Sequence, residues 1–159
     1  MTLFDFFSAL RISAAAVLLP VISIRDVRTR RLPAREVRLL AASSLLQLVS
    51  LLPDACGGGA AVPAVLLDML AGGAGTLLLL LGITRLADRL FGRETLGGGD
   101  IRLAAALGLH LGFFPAMQML LAASLLALPE AVLRRRHGEH GFPFAPYLAA
   151  AGWVMMLLN

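Results

Sequence analysis

Apolar stretches of bilayer-crossing length recur along this chain, and arginine clusters fill every second gap between them. A spanning helix needs ~20 mostly apolar residues. Candidate helices run over residues 4–24, 37–52, 62–83, 101–113, 116–133 and 144–158. The fourth and fifth come from one run, 101–131, which is too long for a single span. Gly112-Phe113-Phe114-Pro115 divides it, because Gly and Pro punctuate helices. Hydrophobic residues make up 58% of the 159, and charged residues 15%, against ~45–50% and ~25% in soluble domains. A soluble domain of this size would leave roughly 30% of its unfolded surface in water, so so apolar a chain is not a water-soluble globular enzyme. It is too apolar to be disordered. The expected class is all-α and polytopic, one membrane-embedded domain over 1–159.

Charge orients the helices. All 14 basic residues are arginines. All but Arg11 gather in 25–38, in 84–102 and in Arg134-Arg135-Arg136, while 53–61 and 112–115 hold none. Cytoplasmic loops collect arginine. Six spans with both termini outside place all three clusters in the cytoplasm. An undivided 101–131 helix would put the last cluster outside. The net charge of +4 therefore reads as topology rather than as nucleic-acid binding. No basic residue precedes Arg11, and arginines follow the first apolar stretch, so that stretch reads as a membrane helix rather than a cleaved signal. The lone Cys56 excludes an internal disulfide and a cysteine-based zinc cage. Gly72, Gly73 and Gly75, inside the third helix, are expected to let helices approach closely.

Ionisable groups at a membrane are expensive and mark functional sites. Most acids here lie among loop arginines or at outer helix ends. Asp26 and Asp100 differ. One ends the first helix and the other opens the fourth, so topology sets both on one face at similar depth. Two carboxylates held close share a proton, because both cannot ionise. The ionised one activates water, and the protonated one polarises a carbonyl and then donates to the leaving amine. Separately, Asp26 could pair with Arg25 or Arg28, and Asp100 could cap its helix. Gly97, Gly98 and Gly99 precede Asp100 and would leave the backbone bare for an extended substrate strand.

Three stretches together resemble the type IV prepilin peptidases, membrane aspartic proteases of the Gly-x-Gly-Asp class. These are Asp26 with Leu32-Pro33, the run from Gly92 through Gly97-Gly98-Gly99-Asp100-Ile101-Arg102 to Gly112, and Phe142-Pro143-Phe144-Ala145-Pro146-Tyr147-Leu148. The resemblance implies a leader peptidase of the bacterial inner membrane. Its substrates would be prepilins or pseudopilins with a basic leader and a hydrophobic helix, cut after a glycine on the cytoplasmic side. Asp26 and Asp100 would be the catalytic pair. Gly97, Gly98, Gly99, Arg102, Pro33 and Pro146 would support substrate and motif. Arg102 stands where lysine is usual, Ala34 where Asn or Asp is frequent, and Ala145 where glycine is frequent. No cofactor or metal is expected. Nor is the methyltransferase region of bifunctional members, so the chain resembles a short stand-alone form. The loop 84–99 is expected to be a moving part.

The rest reads more plainly. His110 is expected to find a hydrogen-bond partner in the bundle, Glu130 and Trp153 to lie at interfaces, and His137 and His140 to sit in a solvated basic loop near lipid headgroups. Asp68, inside the third helix, has no account from sequence. It is the residue on which the rival reading, a non-enzymatic membrane component such as a small transporter or an assembly scaffold, would rest.

Overall fold

The computed structural model describes residues 3–29, 34–46, 61–92, 96–136 and 143–158. Six helices carry these residues: α1 (Leu3–Thr29), α2 (Ala34–Ser43), α3 (Ala61–Phe91), α4 (Gly98–Leu111), α5 (Phe113–Arg136) and α6 (Ala145–Leu158). Pro33, Cys56, His137 and His140 lie outside the described residues. At a rise of 1.5 Å per residue, α3 is about 46 Å long, whereas α4 and α6 are about 21 Å and α2 about 15 Å. Two helices, over Val62–Leu90 and Phe113–Arg134, are long and apolar enough to cross a membrane. The shorter α6 is apolar as well. Six spans were predicted; among the described residues there are six helices, of which two meet the test of length and composition, and 47–52 of the second predicted span lies outside the described residues.

α4 is the hub, packing against α2, α3, α5 and α6, while α1 rests on α2 and α6. Its inward face holds Leu103, Ala104 and Leu107, all fully buried. The large aliphatic residues Leu67, Leu78, Leu86 and Leu90 of α3 remain exposed. An exposed apolar face of this extent suits lipid rather than water.

Small residues set the closest contact. A Cβ at Gly72 would strike the backbone of Gly108 and Gly112, and a Cβ at Gly108 would strike the Gly72 carbonyl. The α3 and α4 backbones therefore touch there, as the glycines of the third helix led one to expect. Thr76 Oγ1 sits in the seam and donates to Gly72 O at 2.9 Å.

The 101–131 run breaks at Gly112, whose φ of 79° suits glycine alone. The second half begins at Phe113, earlier than the expected 116, since Pro115 falls in a first turn where a missing N–H costs nothing. Asp68 acquires its account here. Its Oδ1 accepts the Phe113 N–H at 3.0 Å, so a carboxylate from α3 caps α5 at its positive end. Nearby, His110 Nε2 lies 3.1 Å from Ser43 Oγ and Nδ1 3.2 Å from Ala106 O, tying α2 to α4. Arg11 donates to His110 O at 3.4 Å. One expectation is corrected: residues 84–91 continue α3 as helix and are no loop, because leucines keep the apolar face going to Leu90.

Candidate active site

The antiparallel course brings the end of α1 and the starts of α2, α4 and α6 to one end of the bundle. The end of α1 is tied to α2 by the Arg25–Glu36 ion pair at 2.6 Å. Asp26 and Asp100 meet at this end. They are 6% and 9% exposed, low values for carboxyls with no ion-pair partner among the described residues, since buried charges are normally paired. Both take a hydrogen bond from one donor, the backbone N–H of Ala145.

The local sequence explains that donor. The Phe144 carbonyl accepts the N–H of Tyr147 at 3.1 Å and of Leu148 at 3.2 Å, so Phe144 caps α6. Ala145 is then the first helical residue, with an N–H that has no partner inside the helix. Pro146 follows and has no N–H at all. The first turn thus leaves a single free donor, at the positive end of the helix, and it serves both carboxyls. Ala145 is fully buried.

Two buried carboxylates this close raise each other's cost of ionisation. The pair lies beyond the spans read from sequence, at the mouth of the bundle. Burial pushes the Asp26 carboxyl up, with the Ala145 N–H opposing. Asp100 is pushed up to about 7, by burial first and then by the charge of Asp26, again against Ala145. Asp26 Oδ2 and Asp100 Oδ1 are buried without a hydrogen-bond partner among the described residues. Such oxygens call for a donor, and a water or a peptide N–H would satisfy them.

The glycines before Asp100 were expected to leave the backbone bare, an expectation about space rather than torsion. Gly97 caps α4 with φ −67° and ψ 136°, ordinary extended backbone, so no unusual conformation requires glycine there. Gly98 and Gly99 open the helix, which puts Asp100 in its first turn rather than at the cap. What the glycines supply is space. A Cβ on Gly98 would meet nothing within 4 Å, and one on Gly97 would reach Asp100 Oδ2 at 3.4 Å. Arg102 is exposed at the same end, and Pro146 is half-buried.

Sequence reasoning passed over three neighbours. Ala145 counted only as a departure from a family pattern, yet its backbone reaches both acids. Glu130 read as an interface residue, yet its carboxylate accepts the Tyr147 hydroxyl at one oxygen and Arg134 Nε, at 2.7 Å, at the other. Tyr147 lies two residues beyond Ala145, so this clamp on α5 fixes the α6 start. The available signal was a proline one position after a buried residue at a helix start, with a tyrosine next. Tyr147→Phe keeps the ring and drops the clamp. It should slow turnover several-fold with little change in KM. It should also move the pH profile upward, because a looser Ala145 N–H lowers the carboxyl pKa values less. Steady-state kinetics across pH checks both.

A model of the type IV leader peptidase family matches residues 13–132. The chain is 36% identical over 94 residues to a prepilin leader peptidase/N-methyltransferase of Aeromonas hydrophila, covering 57% of this chain and 32% of that protein. It is 32% identical over 103 residues to one of Neisseria gonorrhoeae, covering 65% and 35%. It is 38% identical over 94 residues to one of Pseudomonas aeruginosa, covering 57% and 32%. The chain spans about a third of the length of these relatives. No solved structure matches it.

Proposed function

This chain belongs to the type IV leader peptidase family, and we propose that it cleaves the leader from prepilin-like or pseudopilin substrates through Asp26 and Asp100. The observation that carries this reading is one backbone N–H shared by two buried carboxyls, each with an oxygen that has no partner among the described residues. In the reaction, Asp26 is the ionised partner and takes a proton from water. The oxygen of that water attacks the carbonyl carbon after the leader glycine. Asp100 holds its proton, polarises the carbonyl oxygen, and then supplies a proton to the leaving amine as the C–N bond breaks. A glycine at the cut lets the substrate lie extended over the open side of Gly98.

In this reading residues 1–159 work as one membrane-embedded domain with the dyad at the cytoplasmic face of the inner membrane. Asp68 loses the role that a transporter would give it, because it caps α5. The test is a cleavage assay in membranes or detergent with a candidate prepilin. A shortened product from the wild-type protein is expected, and an intact substrate with every candidate would refute the proposal.

The pH dependence has a definite sign. The active pair carries one proton. Raising pH through about 7 removes it from Asp100, so kcat/KM falls on the alkaline side. Lowering pH protonates Asp26, whose pKa is raised above the ordinary carboxylate value, so kcat/KM falls again, earlier than for an exposed acid. A bell centred below neutrality is expected, reporting the pair rather than either residue. A flat profile from pH 5 to 9 would refute the shared proton.

A further inference from the structure

A groove of about 870 Å³ opens between α2, α3 and α4. We propose that it seats the apolar helix of the substrate that follows the cut; this rests on the peptidase reading above and adds a binding site to it.

Position is the first argument. Gly99 and Arg102, on either side of Asp100 in the chain, line one end of the groove. Leu109 lines the other, ten residues along α4 and therefore about 15 Å deeper. The groove therefore opens at the start of α4, in the turn that carries Asp100.

Chemistry is the second. Beyond its mouth the lining is apolar: Ala41 on α2, Leu70 and Ala74 on α3, Ala105 on α4. Small residues let a helix backbone come close, which is how helices associate in a bilayer. Gly73 forms part of the same wall. The occupant is therefore an apolar helix lying in the membrane rather than an extended polar peptide.

Charge decides which side of the cut enters. Arg38 and Arg102 stand at the mouth, and neither has an ion-pair partner among the described residues. Two guanidiniums repel a basic leader and admit a segment with no cation at that level. The leader therefore runs away from the groove, and the helix after the cut runs into it.

Ala74→Phe tests the proposal, because Ala74 is exposed on α3 and the larger ring fills the groove without disturbing the core. Leu78→Phe, exposed on the same helix and outside the groove, is the control. Each is assayed on two substrates: a full prepilin with its helix, and a short soluble peptide that spans the cut and stops before the helix. Ala74→Phe should raise KM on the full prepilin by about tenfold and leave the short peptide unchanged. Leu78→Phe should match wild type on both. Equal cleavage of both substrates by Ala74→Phe would overturn the groove while the dyad stands. So would equal impairment on both, which would mean a disturbed dyad. Loss of a co-purifying phospholipid from Ala74→Phe with unchanged kinetics would assign the groove to lipid and overturn the proposal. Failure of wild type on both substrates would instead remove the peptidase reading, and the groove assignment with it.

Discussion

Asp26→Asn and Asp100→Asn should each lower the cleavage rate about 10³-fold or more, and the double variant little further. Two groups that act as a unit fail together, so their losses do not add. An amide at 26 cannot take the proton from water, and an amide at 100 cannot give one to the leaving amine. Misfolding would mimic this result, but stability separates the two. Asp100 has a pKa raised to about 7 in the folded chain, against roughly 3.9 when unfolded. The folded state therefore holds its proton longer, and stability falls as pH rises from about 4 to 7. Above pH 7 the wild-type protein carries the full penalty, at most about 4 kcal/mol. Asp100→Asn carries none. It should be inactive yet melt higher than wild type at pH 8, with the two curves meeting near pH 4. A variant that is inactive and melts lower at every pH would point to a structural role for Asp100.

Gly108→Leu should be the most damaging substitution for the fold. A side chain there meets the Gly72 carbonyl and Thr76 Oγ1, the latter at 2.7 Å from the new Cβ. Overpacking a core usually costs ~1–3 kcal/mol when side chains can yield. Here the obstacle is backbone, so α3 and α4 must part. That displaces the hub helix that carries Asp100, and activity should go with stability. Gly108→Ala should fall between, losing about 2 kcal/mol. Gly82→Leu is the control, because a Cβ there meets nothing within 4 Å. Monodisperse yield and melting temperature in detergent rank the four proteins. A Gly108→Leu protein that melts like Gly82→Leu would contradict the contact between α3 and α4.

What could be read from the chain in advance depended on whether the signal was local. The helices announced themselves through apolar runs, and the break at Gly112 through a glycine-proline pair. Asp26 and Asp100 stood out because charge is costly at a membrane edge. Asp68 did not resolve, because its partner is the N–H of Phe113, 45 positions away, and no spacing rule connects them. The extent of α3 was underestimated because Arg85, Asp88 and Arg89 looked like a loop, although they share a helix with the apolar face that ends at Leu90. The glycines before Asp100 were noticed for the bare backbone they leave; their torsions are ordinary, and a Cβ on Gly98 would meet open space. Only the proline after it hints at the role of Ala145, which was passed over because a donor that belongs to the main chain is not written in the side-chain alphabet.

That last property has a genetic consequence. An interaction made by a peptide N–H survives almost any missense change, since nineteen of the twenty amino acids bring the same group. Only proline deletes it. The tight burial of position 145 narrows the choice from the other direction, toward residues with little or no side chain. Drift at this site is therefore confined to a short vocabulary of small letters while the chemistry that it serves stays constant. An alanine here is one spelling of an unchanged instruction.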